Sequence, residues 1–306
     1  MKTILVLTNF TIRAGAAARF ALQLAIKSQA NLVLCNVIEP NSRFFYDTGY
    51  ITDTQRELKK DSLADLEETA NRLKKMIPMG EAFTPQIDYI VPFGILTVII
   101  EKIISERKVD IVVMATHRAN VFTRFLSQRH IYKLIDNFSC PALLIPEGFP
   151  YQEICGIGYA TDLTFDNTKT IDYLTKMAAP LHAAIAINYI SPVGFPTTPS
   201  ERENGFSLIF HQNQDHPLIS YNNIKADNIR DGILNVSSSK TINVLALVHK
   251  HYSFVEGLFH RSISKQMAGC SRIPLLILPD SFCRNITDWE NDLLNDYQYQ
   301  SAMIVS

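Results

Sequence analysis

The stretch CPALLIPEGF (140–149) returns as IPLLILPDSF (273–282). Pro141, Pro146 and Phe149 fall on Pro274, Pro279 and Phe282 at one offset, since 274−141, 279−146 and 282−149 all equal 133. Upstream, His117 and Lys133 match His249 and Lys265 at an offset of 132, which implies a one-residue difference inside this unit. Near the starts, LTNFT (7–11) matches ATDLT (160–164) at an offset of 153. Such self-similarity restricts the chain to two copies of one fold, joined near EGFPYQE (147–153). The expected limits are 1–149 and 150–282, followed by a tail, 283–306, with Asp288, Glu290, Asp292 and Asp296 against the single cation Arg284.

Within each copy, short apolar runs alternate with helical periodicity, the pattern of a parallel sheet with crossover helices. Strands are expected near 3–8, 32–38, 86–91, 110–114 and 141–146, and helices near 13–28, 54–76, 94–107 and 126–137. In the second copy strands are expected near 153–159, 183–190, 216–220, 242–248 and 274–279. Leu58, Leu63, Leu66, Ala70 and Leu73 form one stripe among charges, so that helix should lie on the sheet surface. From Asn9 to His117 is 108 residues, but from Asp162 to His249 only 87, so the second copy lacks 21. SPVGFPTTPSERENG (191–205) is rich in helix breakers, and the second copy is expected to have lost most of its second crossover helix there.

A chain of 306 residues with 47% hydrophobic and 19% charged residues has the composition of a folded protein of about two domains. The 29 basic and 30 acidic residues give a net charge of −1, which offers no overall attraction to nucleic acid or to an anionic membrane. No apolar run approaches the roughly 18 residues of a membrane span. MKTILVLTNF reads as a buried first strand, not a secretion signal. Five cysteines (Cys35, Cys140, Cys155, Cys270, Cys283) at irregular spacing point to reduced, mostly buried thiols and a cytoplasmic protein.

The opening ILVLTNFT and the closing VVMATHR…CPALLIP resemble the universal stress protein family, here as two family domains in one chain. The resemblance implies an α/β fold of two tandem doubly wound, five-stranded parallel-sheet domains, Rossmann-like and akin to the adenine nucleotide alpha hydrolases. It further implies pairing of domains through their last strands. Many family members bind ATP at the strand C-termini, with a signature G-x-x-G, nine residues, then G-[S/T], and a Thr-Asp pair closing the first strand. Here the signature fails in both copies. Its first glycine falls on Ala115 and Leu247, its second on Arg118 and Lys250, its third on Gln128 and His260, and its Ser/Thr on Arg129 and Arg261. The Thr-Asp pair is Thr8-Asn9 in the first copy and Thr161-Asp162 in the second. Glycine at these points admits positive φ and leaves room for an anion against backbone N–H groups. Long side chains there disfavour ATP held in the family's manner.

Arg118, Arg124 and Arg129 with His117 and His130 form a basic cluster that fits either a phosphate-type anion site or a solvated loop. His117 and His249, matched across the copies, are read first as residues that fix a strand-to-helix turn. His249, His251 and His260 lack a nearby Cys or carboxylate at ligand spacing, so no metal site is expected. Asp162 with Thr161 serves as a helix cap or as the remnant of an adenosine site. No nucleophile–base arrangement emerges, which argues against an ordinary hydrolase. The expectation is therefore a regulatory or binding protein of stress response, without a family-type ATP site, folded as an intramolecular pseudo-dimer with a homodimer as a further step. The alternative is an adenine-nucleotide sensor with weak ATPase activity using Asp162, Lys250 and Arg261. A third, weaker reading is an anion- or metal-responsive switch.

Overall fold

A computed structural model describes residues 2–39, 53–116, 128–161, 168–192, 218–249 and 263–282. The apolar runs form the strands β1 (Thr3–Leu7), β2 (Asn31–Cys35), β3 (Ile87–Ile90), β4 (Ile111–Thr116) and β5 (Ala142–Pro146), then β6 (Gly156–Thr161), β7 (Ala184–Pro192), β8 (Ile219–Ala226), β9 (Val244–His249) and β10 (Leu275–Pro279). Strands such as IVVMAT and LLILP are buried along their whole length, because helices cover both faces of the sheet. On one face lie α1 (Ile12–Ser28), α2 (Asp53–Lys75) and α5 (Thr168–Ala178), packed on Ile4, Val6, Ile157 and Tyr159. On the other lie α3 (Leu96–Arg107), α4 (Gln128–Asn137), α6 (Ile229–Ser237) and α7 (Ile263–Cys270), packed on Leu5, Leu7, Val112 and Leu245. Successive residues of each strand thus feed opposite cores, as the twofold side-chain period requires. Of the expected stripe on α2, Leu66, Ala70 and Leu73 are buried and Leu63 half-buried, but Leu58 is 49% exposed, since it sits before the stretch that rides on the sheet.

All ten strands join in a single sheet, in the order β3-β2-β1-β4-β5-β10-β9-β6-β7-β8. Neighbours run parallel except at the centre, where β5 and β10 pair antiparallel through Leu144–Leu275, Leu143–Leu276 and Ala142–Ile277. Shifted by 133, residues 142, 143 and 144 become 275, 276 and 277, so this register maps onto itself about the Leu143–Leu276 pair. Two equivalent edges meeting in this way are related by a pseudo-twofold axis.

The ladders correct one part of the repeat. Thr116 lies beside Pro146, and His249 beside Pro279, so His249 is the counterpart of Thr116 (249−116 = 133) and not of His117. The helices follow the same count: the N–H of Phe138 bonds to Leu134, that of Ser271 to Met267, and Lys265 therefore answers Tyr132, not Lys133. The single-residue shift falls earlier. Leu32 pairs with Ile87 and Ile185 with Ile219, an offset of 153 for the second strands and 132 for the third. The missing 21 residues (153−132) do lie between the second and third strands, while one residue returns before the fourth. The helix expected to be lost falls largely on 193–217, outside the described residues. β8 also begins later than expected and extends to Ala226, because its alternating YNNIK is half exposed at the sheet edge.

Candidate ligand site

In the first half the crevice expected to hold a ligand lies at the C-terminal ends of β1 and β2. Its polar groups are engaged locally. The hydroxyl of Thr8, a buried residue, accepts a hydrogen bond from the N–H of Phe10 at 3.2 Å, and Thr8 donates its own N–H to the carbonyl of Cys35 at 2.9 Å. Asn9 Oδ1 accepts from the Thr11 hydroxyl at 2.7 Å and from its N–H at 3.3 Å. Thr11 in turn caps α1 by accepting from the N–H of Ala14 at 3.3 Å. The amide of Asn36 donates to the carbonyl of Thr8 at 2.8 Å. Glu39 accepts from the N–H of Leu96 at 3.2 Å and so caps α3, whose preceding Ile95 offers no side-chain cap. The space left among Leu7, Thr8, Asn9, Asn36, Val37 and Leu96 is about 20 Å³.

Of the other expected positions, Ala115 is buried in β4, Gln128 and Arg129 open α4, and Thr161 closes β6 half-buried. His117, Arg118, Asp162, Lys250, His260 and Arg261 lie outside the described residues. His249 is 3% exposed and faces the seam between the halves. There its Nε2 lies 3.0 Å from Asp136 Oδ1 of α4, and Lys265 Nζ of α7 reaches the same carboxylate at 2.7 Å. One carboxylate of the first half thus pairs with two basic groups of the second. Asp136 escaped sequence reading because its partner is 113 residues away; only the corrected register brings it into view.

The pseudo-twofold generates a second seam end, where Thr116 and Gly269 stand for His249 and Asp136 (249−133 and 136+133). Both residues line a cleft of about 370 Å³, together with Glu147, Phe149, Ser271 and Arg272. Each end is closed on the α1/α5 face by an aromatic pair: Phe20 with Phe149 at 6.5 Å between ring centroids, and Tyr173 with Phe282 at 5.3 Å. These pairs are equivalent (173−20 = 153, 282−149 = 133), which explains why a phenylalanine ends both copies of the repeated motif. Cys35 and Cys140 are buried, and burial pushes both thiols up to about 12, whereas Cys155 is exposed and Cys270 half-buried. No group of three or more His, Cys, Asp or Glu side chains suited to a metal ion occurs among the described residues. No described helix is long and apolar enough to cross a membrane.

The universal stress protein family model matches residues 1–146. The first half is a universal stress protein domain. Among solved structures, a universal stress protein of Archaeoglobus fulgidus DSM 4304 is similar over 90% of this chain and 98% of its own, with a TM-score of 0.68 at 12% identity. A candidate universal stress protein of Pseudomonas aeruginosa UCBPP-PA14 covers 92% of this chain and 95% of its own, with a TM-score of 0.58 at 12% identity. At such identity the likeness is one of fold, and it extends across both halves. No curated protein matches the sequence. Counted at the observed offset, the family's signature positions in the second half move to Val248, His251, Arg261 and Ser262 (115, 118, 128 and 129 plus 133). The glycines stay replaced, but the Ser/Thr position now carries a serine, and Lys250 is no longer the counterpart of Arg118.

Proposed function

We propose that this chain is a universal-stress-type regulatory or binding protein of the cytoplasm that does not hold ATP in the family's manner. Membership of its first half in the universal stress protein family supports a role in stress response. The observation that carries the reading is the crevice at the ends of β1 and β2. Small-molecule sites occupy about 300–1,000 Å³, against the roughly 20 Å³ that the described residues beside Thr8 and Asn9 enclose. Asn9, in place of the family's aspartate, spends its acceptor on Thr11. The halves are read as each other's dimer partner through β5 and β10, with 1–149 and 150–282 as the two domains, and a homodimer would build on the remaining surface. Denaturing the purified protein and assaying the supernatant for nucleotide tests the reading, followed by melting scans with ATP, AMP, phosphate and zinc. The expected result is no released nucleotide and no shift with ATP. Co-purified ATP, or several degrees of stabilisation by micromolar ATP, would overturn it. The rival reading, a sensor with weak ATPase activity, is favoured by Ser262 in the signature position, and a turnover assay on the purified chain decides against it if no phosphate is released.

A further inference from the structure

The two seam ends share a frame and differ in what fills it. At the β9 end the frame is occupied by the carboxylate of Asp136, held by His249 at 3.0 Å and Lys265 at 2.7 Å. At the β4 end the same positions are Gly269, which has no side chain, Thr116 and, in place of Lys265, Tyr132; Gly269 and Thr116 border the cleft of about 370 Å³. Thr116 is 5% exposed and lines the cleft. Arg272, exposed at the rim, pairs with no carboxylate among the described residues. Glu147, the one carboxylate lining the cleft, is neutralised by Arg13 at 2.5 Å. Pro146, Phe149, Pro150 and Ala268 supply apolar wall.

We propose that this cleft binds a small carboxylate with an apolar body. The carboxylate takes the place that the Asp136 side chain holds at the opposite end, accepts the Thr116 hydroxyl proton in a hydrogen bond, and pairs with the Arg272 guanidinium. The apolar body lies against Phe149 and the two prolines. The volume falls within the range of small-molecule sites. The C-terminal dipole of α7 opposes an anion there, as that of α4 opposes Asp136, and in the second case two basic groups outweigh it. The site lies across the seam and not in the β1/β2 crevice, so it stands or falls separately from the nucleotide reading.

The test is calorimetric titration of the full chain with acetate, isovalerate and phenylacetate, with phenylacetamide and inorganic phosphate alongside. At least one of the two carboxylates with an apolar body should bind 1:1 with a Kd below about 1 mM, a modest affinity for a ligand of this size. Phenylacetamide should bind at least about tenfold more weakly than phenylacetate, since it cannot pair with a guanidinium. Arg272→Gln should weaken binding by about tenfold or more. Gly269→Asp, which supplies the carboxylate from within, should abolish binding with the circular dichroism spectrum unchanged. The proposal is overturned if no carboxylate binds, if the amide binds as well as the acid, if phosphate alone binds, or if folded Gly269→Asp retains full affinity. Should Gly269→Asp not fold, Arg272→Gln on the exposed rim decides alone: unchanged affinity sinks the proposal.

Discussion

At the β9 end of the seam a carboxylate bridges a buried imidazole and an ammonium group; at the β4 end the equivalent positions hold a glycine, a threonine and a tyrosine, and the glycine and threonine border a cleft. The backbone around them is alike. The same self-complementary register about Leu143 and Leu276 produces both ends, and the same kind of aromatic pair closes each. What differs comes down to three positions: Asp136, His249 and Lys265 at one end, Gly269, Thr116 and Tyr132 at the other. The comparison separates two tasks: apolar strands fix how the halves meet, and the residues at the strand ends are left free to serve either cohesion or access. Such division is common where a rigid sheet carries its variable chemistry at strand termini.

The most severe way to break the comparison is to remove the axis that both ends share. Leu143→Asp places a carboxylate at a position with no exposure, facing Leu276, and should cost more than about 4 kcal/mol. Loss of a cooperative melting transition is the expected readout, and Leu276→Asp should match it; a folded, stable variant would mean that the halves are held elsewhere. Next, Asp136→Ala leaves His249 buried without its carboxylate and should cost about 2 kcal/mol, a fall of roughly 5 °C in Tm. Its counterpart Gly269→Ala should instead gain about 0.5 kcal/mol, because alanine is the better helix former. Equal effects of the two would erase the asymmetry. Phe149→Ala and Phe282→Ala remove equivalent, half-buried members of the aromatic pairs and should each cost about 1–2 kcal/mol, within about 0.5 of one another.

The smallest effect concerns pH. Cys140 of the first half corresponds to Ile273 of the second (140+133), so only one copy titrates at this point. Burial, helped by Glu101 and Asp110, raises its thiol from 9.0 to about 12. Above pH 9 the unfolded chain loses this proton while the folded chain keeps it, so the thiol's contribution is intact below 9 and is lost as pH rises toward 12. Tm measured between pH 9 and 10.5 should fall less steeply in Cys140→Ala than in the parent, with the difference between the two proteins constant below pH 9.

Much of this architecture was legible because the repeated residues have repeated jobs. Pro141 and Pro274 precede the two central strands, and the rings of Phe149 and Phe282 pack at steep angles against aromatic residues of α1 and α5. The fully apolar runs declared the buried strands for the same reason. The seam ends were not legible. Matching His117 to His249 follows residue identity, whereas strand equivalence is set by the hydrogen-bond ladder, which places His249 opposite Pro279 as Thr116 lies opposite Pro146. The mismatch of a single residue hid the relation of Asp136 to Gly269. In the crevice, Asn9 was recognised as a departure from the family's aspartate, but its role in holding Thr11 depends on a local turn that spacing alone does not display. β8 lies three residues beyond its expected start because an edge strand with Asn222 and Asn223 lacks the apolar run that betrays a central one.

The antiparallel pairing of β5 with β10 has a consequence for stoichiometry. In a dimer of identical chains meeting about a true twofold axis, any pocket at one seam end is present at the other, and two occupants can influence each other. Here both partners of the pairing belong to one chain with two different sequences, so the ends need not agree. Among the described residues one molecule then offers one seam pocket, and the ligand proposed for it would saturate along a simple hyperbola, in proportion to occupancy and with no threshold.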